Sequence, residues 1–447
     1  MGDSQRNDGR SITVFSGGTG ANSLVDVFNG IIERRKYSLN YVIPISDNGG
    51  SSSELIRVIG GPSVGDIRSR LVRLIPNTNT DAETGALRRL FELRLCSDSN
   101  KARDEWLEIV FGSHVSWNEI SSPKRELIRS ILNALNLEIV KRARPKSSFN
   151  FARASIGNMF LTGARLFTGS FEAAIYLLSM ICSIPASVAV LPAINSNFTH
   201  HISALLEDGT PMVGQVAISH PSAPTALPDD QKDHDESESD NQLPDCHPDL
   251  RGEITVSKED EADLPARIKS LSYINTYGHT ISPKANPKVL EAMKSSAAVV
   301  YSIGSLYTSI IPSLVLQGVG EAITAPVVKY KILILNSKLD RETGPKSNPL
   351  TAIDFVTAIA RAGAQSKKRP EAAAAAAPSD AVIRPPTNYV THLIYLDAKD
   401  APFVDVKGIE CLGIKCVKVD GKMTTDKAMV KYDEAALGKA LENILDP

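Results

Sequence analysis

The chain has 447 residues, enough to bury a large core, and a formal net charge of −2 at pH 7. This balance gives no reason to expect a nucleic-acid partner. The five cysteines are scattered and include no Cys-x-x-Cys pair, so neither a disulfide framework nor a zinc site is indicated. No apolar run approaches the ~18 residues of a membrane span, and residues 1–10 are too polar for a signal peptide. We therefore expect a cytoplasmic protein without a membrane partner.

The first predicted element is a short β-rich run at residues 12–15, which ends in a glycine-rich loop, Gly17-Gly18-Thr19-Gly20. Apolar residues at helical spacing follow from Leu24 to Ile32. A strand, a glycine turn and a helix N-terminus bring free N–H groups together, and the helix dipole favours an anion there. We predict a phosphate cradle, in which Gly18→Val would abolish binding but leave the fold largely intact.

The alternative for this loop is an ordinary tight turn between a strand and a helix. The loop lacks the lysine of a P-loop and the glycine order of a dinucleotide fingerprint. Without that lysine, the charge of a bound phosphate must be neutralised by Arg57, Arg68, Arg70 or a metal ion.

Two further glycine-rich segments follow within the next fifty residues. A second strand is predicted at residues 41–45 and leads into Asp47-Asn48-Gly49-Gly50-Ser51, while residues 60–68 form a third predicted loop. In a parallel sheet all three loops would leave the carboxyl edge, where such folds bind ligands. Asp47 and Asp66 would then hold Mg²⁺ through carboxylate contacts, or, as the alternative, each would cap a helix.

The middle of the chain combines amphipathic helices with a second small-residue helix start. Ser155, Gly157 and Asn158 either cap this helix or present N–H groups and an amide to a ligand, and both alternatives stay open. Residues 187–191 predict a strand of the central sheet. Residues 202–206 and 213–218, joined by Asp208 and Gly209, predict a β-hairpin.

Two segments depart in composition from the rest of the chain. Within residues 221–251, the stretch 229–240 holds seven acids against one lysine, which predicts a disordered insertion. Residues 364–386 contain six consecutive alanines and four prolines, which predict a mobile linker. We expect one α/β domain over residues 11–447, interrupted by these two segments and preceded by a frayed N-terminus.

A buried strand is predicted at residues 297–303, between these two segments. It runs into Gly304-Ser305-Leu306-Tyr307-Thr308-Ser309, a second junction of the kind that holds phosphates or sugars. Another strand is predicted at 331–336, then a helix at 350–362. The last unit holds strands near 393–396 and 414–419 and a closing helix at 434–445.

Together these segments resemble the CofD/YvcK family over about residues 12–360. That family joins the 2-phospho-L-lactate transferases to gluconeogenesis-factor-like, sugar-nucleotide-binding proteins. The resemblance implies a Rossmann-like α/β fold, with helices on both faces of a parallel sheet and a nucleotide across its carboxyl edge. The segments that carry it are Ser16-Gly17-Gly18-Thr19-Gly20, Asp47-Asn48-Gly49-Gly50-Ser51-Ser52, Gly65-Asp66-Ile67-Arg68, Gly157-Asn158 and residues 304–312.

The transferase branch joins a nucleotide-activated phospholactate to the ribityl hydroxyl of a deazaflavin with magnesium, and a nucleoside monophosphate leaves. Carried over, Asp47 and Asp66 would be catalytic, holding Mg²⁺ or positioning the acceptor hydroxyl. The residues implied to bind the nucleotide and its phosphates are Gly17, Gly18, Thr19, Gly20, Asn48, Gly49, Ser51, Arg68, Gly157, Asn158, Gly304, Ser305, Thr308 and Ser309.

The run from Asp47 to Ser52 resembles the sugar-nucleotide-binding branch more than the acceptor loop of the transferase. The alternative is therefore a non-catalytic sensor of a uridylated sugar that regulates carbon metabolism or cell-wall synthesis. In both cases the expected partner is a nucleotide or nucleotide sugar, and a homo-oligomer stays open. An NAD-dependent oxidoreductase is the weaker third alternative, because the glycine order differs from the dinucleotide fingerprint.

Overall fold

A computed structural model describes residues 10–18, 20–46, 49, 51–76, 81–144, 148–219, 263–367, 385–423 and 430–446, with the backbone alone for Ser51 and Val216. The predicted acidic insertion at 221–251 and most of the predicted linker at 364–386 lie outside these residues. The frayed N-terminus does too, except for Arg10. The start of the predicted linker is wrong, because the helix before it continues to Gln365.

The described strands are β1 (Ser11–Phe15), β2 (Ser38–Ile43), β3 (Val188–Pro192), β4 (His201–Leu206), β5 (Pro211–Val213), β6 (Ile268–Ile274), β7 (Thr280–Ile281), β8 (Ser296–Tyr301), β9 (Tyr330–Ile334), β10 (His392–Tyr395), β11 (Lys415–Lys418), β12 (Gly421–Met423) and β13 (Val430–Tyr432).

The described helices are α1 (Val25–Arg35), α2 (Ser51–Ile59), α3 (Gly65–Arg73), α4 (Ala82–Glu92), α5 (Ser99–Phe111), α6 (Ser122–Arg142), α7 (Ile156–Thr168), α8 (Phe171–Ile181), α9 (Gln215–Ser219), α10 (Pro287–Lys294), α11 (Ile311–Leu314), α12 (Val319–Ile323), α13 (Ala352–Gln365), α14 (Val406–Cys411) and α15 (Glu434–Leu445). None of the helices in the described ranges is long and apolar enough to cross a membrane.

The main sheet has seven strands in the order β11-β10-β9-β8-β1-β2-β3, and every neighbouring pair is parallel. All five residues of β1 are buried, as expected for the central strand of a sheet covered on both faces. The predicted α/β fold with a parallel sheet is therefore confirmed. The strand order reverses between β1 and β8, which creates a crevice at their carboxyl ends where doubly wound sheets bind ligands.

A second sheet, in the order β5-β4-β6-β7, is antiparallel. It contains the predicted hairpin, but the second arm of that hairpin is wrong. Its strand ends at Val213, and the following residues form the short helix α9 instead. Gly214 separates the two with a φ of 86°, a left-handed conformation that ends the strand.

The third predicted loop, at residues 60–68, is also wrong in part. It follows helix α2 rather than a strand, and it ends at Val64, because α3 begins at Gly65. Asp66 and Arg68 therefore lie in the first turn of α3. The chain still returns to the sheet edge, because the Ser63 N–H donates to the carbonyl of Ile45, just after β2, at 3.1 Å.

Candidate functional site

Two loops meet at the carboxyl ends of the central strands β1 and β8. The loop after β1 contains Gly17 and Gly18 and leads into a 3₁₀ turn, Gly20–Leu24. The loop after β8 contains Gly304 and leads into a π-helical turn, Leu306–Ile310. A Cβ atom on Gly20 would lie 3.7 Å from the Cα of Gly304, so the two loops are in direct contact.

Asp66 and Ser309 both pack against the first loop. A Cβ atom on Gly17 would overlap the Ser309 hydroxyl and lie 3.3 Å from Asp66 Oδ2. A Cβ atom on Gly18 would overlap Asp66 Oδ1 and lie 2.8 Å from the Asp66 Cα. Glycine is therefore required at both positions by contacts within the protein. The expectation that Gly18→Val leaves the fold intact is wrong, because the added atoms would collide with the backbone of α3.

Asp66 is half-buried as a residue, and its carboxylate is surrounded by protein. Desolvation raises its pKa above the usual range, against the lowering effects of the Gly18 N–H, Arg70 and Arg68. A carboxylate with a raised pKa at the mouth of a cleft is typical of a group that exchanges protons or takes a bound cation.

Arg68, Asn158 and Ser52 form a second set of contacts beside Asp66. Arg68 Nε donates to Asn158 Oδ1 at 3.1 Å, and Asn158 Nδ2 lies 3.4 Å from the Ser52 hydroxyl. Burial and the nearby Arg94 lower the pKa of the Arg68 guanidinium. A Cβ atom on Gly157 would lie 2.7 Å from Arg68 Cγ, so this glycine lets α7 approach α3 closely. The structure thus brings Arg68, Gly157 and Asn158 together, and their binding of a nucleotide stays a prediction.

Arg70 lies underneath the first loop and is fully buried. Its Nη2 donates to the Ser16 hydroxyl at 3.2 Å and to the Gly17 carbonyl at 3.1 Å, and its Nη1 donates to the Ala21 carbonyl at 3.3 Å. The guanidinium also lies 4.4 Å from the centre of the Tyr41 ring. Arg70 therefore holds the loop in place, which leaves Arg68 as the better candidate for neutralising a ligand.

Arg57, the third candidate for neutralising a phosphate, lies elsewhere. It forms an ion pair with Glu54 at 2.7 Å on the exposed side of α2, and its Nη2 donates to the Ser148 carbonyl at 3.0 Å.

The loop after β8 is held by two side chains that the sequence did not identify as functional. Asn336, just after β9, accepts from the Gly304 N–H at 3.0 Å and donates to the Gly304 carbonyl at 2.9 Å. Glu342 is buried and accepts from the N–H groups of Tyr307 at 2.9 Å and Thr308 at 3.0 Å. The Thr308 hydroxyl also donates to Glu342, at 2.5 Å. Both donors of Thr308 are thus engaged inside the protein, which argues against its predicted contact with phosphate.

Burial raises the pKa of Glu342 to about 8, reinforced by the negative charge of Asp340 and opposed by the three hydrogen bonds from Tyr307 and Thr308. A carboxyl group with this pKa changes charge near neutral pH. The conformation of the second loop is therefore coupled to a buried titratable group.

Several predicted site residues cannot be placed. Thr19, Asp47 and Asn48 lie outside the described residues. Gly49 is half-buried on the segment after β2, and Ser51 begins α2. Ser305 and Ser309 are half-buried at the second loop, where the Ser309 N–H donates to the Ser305 carbonyl at 2.9 Å.

The described side chains could hold a magnesium ion only if phosphate oxygens of a ligand supplied part of its coordination. Within the described ranges, no group of three or more His, Cys, Asp or Glu side chains is arranged to hold a metal ion. Asp66 supplies one carboxylate beside the crevice. Mg²⁺ in nucleotide sites is usually held by one or two carboxylates together with the phosphates of the substrate, so this arrangement is compatible with it.

The sheet topology and the loops at its reversal point define a doubly wound α/β protein with its candidate site at the strand-order switch. The chain belongs to the CofD family, because the family model "2-phospho-L-lactate transferase CofD" matches residues 12–420.

Relatives of this chain come from both eukaryotes and bacteria. It is 41% identical over 358 residues to an uncharacterized protein of Saccharomyces cerevisiae, covering 74% of this chain and 79% of that protein. It is 22% identical over 353 residues to a gluconeogenesis factor of Halalkalibacterium halodurans, covering 78% and 73%. A crystal structure of a UPF0052 family protein from Bacillus halodurans superposes with a TM-score of 0.59 at 20% identity, covering 96% of this chain and 99% of that one. This last likeness shows a shared fold.

Proposed function

We propose that this chain binds a nucleotide or nucleotide sugar, and that the diphosphate of this ligand lies against the loop of Gly17 and Gly18. We further propose that, with Mg²⁺, the chain transfers a phospho-group from the bound ligand to an acceptor hydroxyl. The convergence of Asp66 and Ser309 on this loop carries the proposal. Three segments distant in sequence meet there, at the crevice between β1 and β8. Ligands of doubly wound sheets bind at that position.

Charge supports a phosphate ligand at this place. Arg68 lies in the same turn of α3 as Asp66 and is held by Asn158 at 3.1 Å. A guanidinium that is fixed by a neighbour loses little side-chain entropy when it binds a phosphate. Asp66 and Asp47 are the residues that would hold Mg²⁺, which would supply the remaining neutralisation of the phosphate charge. The assignment of Asp47 rests on the family motif alone.

The transfer step follows from these positions. The oxygen of the acceptor hydroxyl attacks phosphorus and forms a new P–O bond, while the anhydride P–O bond breaks. The nucleoside monophosphate leaves with the electron pair of that bond. The hydroxyl proton passes to Asp66, because desolvation makes its carboxylate more basic than an exposed one. Such reactions depend mainly on positioning and charge stabilisation.

The second candidate is a non-catalytic sensor of a nucleotide sugar, and the bacterial relative named gluconeogenesis factor favours it. A sensor would use the same two loops for binding but would need no acceptor site and no base. Binding without turnover would therefore distinguish it from the transferase.

Calorimetric titration with GDP, UDP and their sugar conjugates, with and without MgCl₂, tests the binding proposal. We expect a submillimolar Kd for at least one of these ligands and a magnesium response that Asp66→Asn loses, with at least a tenfold weaker Kd. Asp26→Asn is the matched control, since Asp26 pairs with Arg73 at 2.6 Å on the exposed surface. A magnesium response of Asp66→Asn equal to wild type would contradict the role of Asp66.

Turnover separates the two candidate functions. Release of nucleoside monophosphate from the bound ligand is followed in the presence of a ribityl alcohol such as riboflavin. Magnesium-dependent release that Asp66→Asn abolishes supports the transferase. Tight binding with no release under any acceptor supports the sensor.

A further inference from the structure

Glu342 is buried against the loop after β8, although it comes from the loop after β9. It lies in a 3₁₀ turn, Arg341–Thr343, and is only 1% exposed. Its Oε2 accepts from the N–H groups of Tyr307 and Thr308, and its Oε1 accepts from the Thr308 hydroxyl. All three donors belong to the π-helical turn Leu306–Ile310, so this one carboxyl group fixes the position of that turn.

The turn that Glu342 fixes extends to the proposed phosphate position. Ser309 follows Thr308 in the chain, and its hydroxyl packs so closely against Gly17 that a Cβ atom on Gly17 would overlap it. Gly17 belongs to the loop proposed to hold the diphosphate. Glu342 is buried and does not reach this position itself, so it acts on a ligand through Thr308 and Ser309.

The charges around Glu342 favour its protonated form. Burial raises the pKa of Glu342 to about 8, and the negative charge of Asp340 adds to this effect. The guanidinium of Arg341 donates to the carbonyls of Ala217 and Ile218 in α9. Three further charged groups act on the neighbouring Tyr307 phenol: Asp354 and Arg361 on α13, and Glu207 after β4.

Protonated Glu342 can keep all of its contacts with the turn. One oxygen of the carboxylic acid still accepts from the two N–H groups, and its O–H can donate to Thr308 Oγ1 once the threonine hydroxyl rotates. Glutamine offers the same arrangement, with a carbonyl oxygen for the two N–H groups and an NH₂ group for Thr308 Oγ1. Glu342→Gln is therefore a structural match for the protonated residue.

A bound diphosphate adds negative charge beside this turn. Charges of the same sign repel, and solvent ions screen the repulsion only weakly when one of them is buried. A diphosphate at Gly17 therefore disfavours the ionised form of Glu342 and raises its pKa further. This coupling is reciprocal, so protonation of Glu342 strengthens diphosphate binding by the same factor.

We propose that Glu342 is a positioning residue of the candidate site, and that the protein takes up a proton at Glu342 when a diphosphate binds. The proton comes from solvent and is added to the carboxylate, and no bond of the ligand changes. This inference rests on the proposed function, since it takes the diphosphate position as given. It predicts that the Kd is constant below about pH 7 and weakens as the pH rises above neutrality.

The test uses UDP-glucose and GDP-mannose, because their phosphates carry no proton that titrates near neutral pH. The titrations contain no MgCl₂, since the charge of the metal would cancel the repulsion. Calorimetry at pH 8 in two buffers of different ionisation enthalpy gives the number of protons taken up. For wild type we expect about 0.3 protons or more per ligand, and a Kd that weakens at least about twofold between pH 7 and 8.5.

Glu342→Gln should lose this proton uptake and should have, at pH 8.5, the Kd that wild type has at pH 7. The carboxyl group of Asp66 is present in both proteins, so the difference between them reports Glu342 alone. The matched control is Glu172→Gln, because Glu172 is a half-buried carboxylate that pairs with Lys288 at 3.0 Å, away from both loops. This control should keep the proton uptake of wild type.

The pH profile separates this role from a structural one. A structural role alone would let Glu342→Gln change the Tm and shift the Kd by one factor at every pH. Equal proton uptake in wild type and Glu342→Gln would overturn the inference and leave the proposed function standing. Binding that requires MgCl₂ would also overturn it, because the bound state would then lack the repulsion. If wild type binds neither probe with or without MgCl₂, the inference and the proposed function both fail.

Discussion

The two loops of the candidate site are held by different buried side chains, a guanidinium in the first and a carboxyl group in the second. Arg70 holds the loop after β1 by donating to the Gly17 and Ala21 carbonyls and to the Ser16 hydroxyl. Glu342 holds the loop after β8 by accepting from two N–H groups and the Thr308 hydroxyl. A guanidinium therefore satisfies acceptors in the first loop, and a carboxyl group satisfies donors in the second.

Because of this difference, we expect the two loops to contact a phosphate through different groups. In the second loop, the N–H groups of Tyr307 and Thr308 donate to Glu342, so they are not available to a bound anion. The hydroxyls of Ser305 and Ser309 remain the candidate contacts on that side. In the first loop Arg70 binds oxygen atoms, while the Gly18 N–H donates to the Asp66 carboxylate. We expect the first loop to supply backbone contacts to the phosphates, with the Gly18 N–H exchanging Asp66 for a phosphate oxygen when the ligand binds.

The largest expected effect is that of Arg70→Met. This change leaves three buried acceptors without their donor, and we expect a loss of about 3 kcal/mol in the free energy of unfolding. Arg73→Met is the matched control on the same helix, since Arg73 forms a surface ion pair that contributes about 1 kcal/mol or less. Urea denaturation of both variants checks this. Equal losses would mean that Arg70 does not hold the loop.

A smaller loss is expected from Gly18→Ala. The added Cβ would meet Asp66 at its carboxylate and its Cα, so α3 would have to shift, at a cost of about 2 kcal/mol. Gly20→Ala is the control on the same loop, because its Cβ would meet its nearest neighbour at 3.7 Å, an ordinary contact. Thermal unfolding should separate the two variants by several degrees. If Gly18→Ala were as stable as wild type, the contact with Asp66 would not require glycine at position 18.

Glu342→Gln should have the smallest effect, and one that depends on pH. The folded pKa of Glu342 is raised from 4.5 to about 8, so the native state holds its proton more tightly than the unfolded chain does. Its contribution to stability is full below about pH 4.5 and is lost as the pH rises to 8. Glutamine removes this titration, so the stability difference between variant and wild type should shift by at least about 1 kcal/mol between pH 5 and 8.5.

The control for this titration is Glu119→Gln, a change at an exposed ion pair with Arg89. Urea denaturation at both pH values measures the shift. The same pH dependence in wild type and Glu342→Gln would show that Glu342 does not titrate in this range.

The sheet was predictable because its strands are short, continuous apolar runs between glycine-rich turns. The closing helix was predicted at 434–445, the bounds it has in the structure. The starts of helices α2 and α3 were harder to predict, because their first residues, Ser51, Gly65 and Asp66, are of types that also form loops. The choice between loop and first helical turn depends on packing against α7, which local sequence does not contain.

The side chains behind the loops could not be predicted for a similar reason. Glu342 lies in a polar stretch that reads as an exposed turn, and only the tertiary fold buries it against Thr308. Asn336 could have been identified as a site residue from the sequence, because it follows the carboxyl end of a predicted strand, as Gly17 and Gly304 do.

The most direct test of the central claim is a crystal structure of the chain with a nucleoside diphosphate that binds in calorimetry, and with MgCl₂. We expect the phosphates to lie between the loop of Gly17 and Gly18 and the loop of Gly304 and Ser309, within hydrogen-bonding distance of at least one backbone N–H of the first loop. Phosphates bound elsewhere, such as the surface groove between α1 and α15 lined by Asp26 and Arg34, would contradict it.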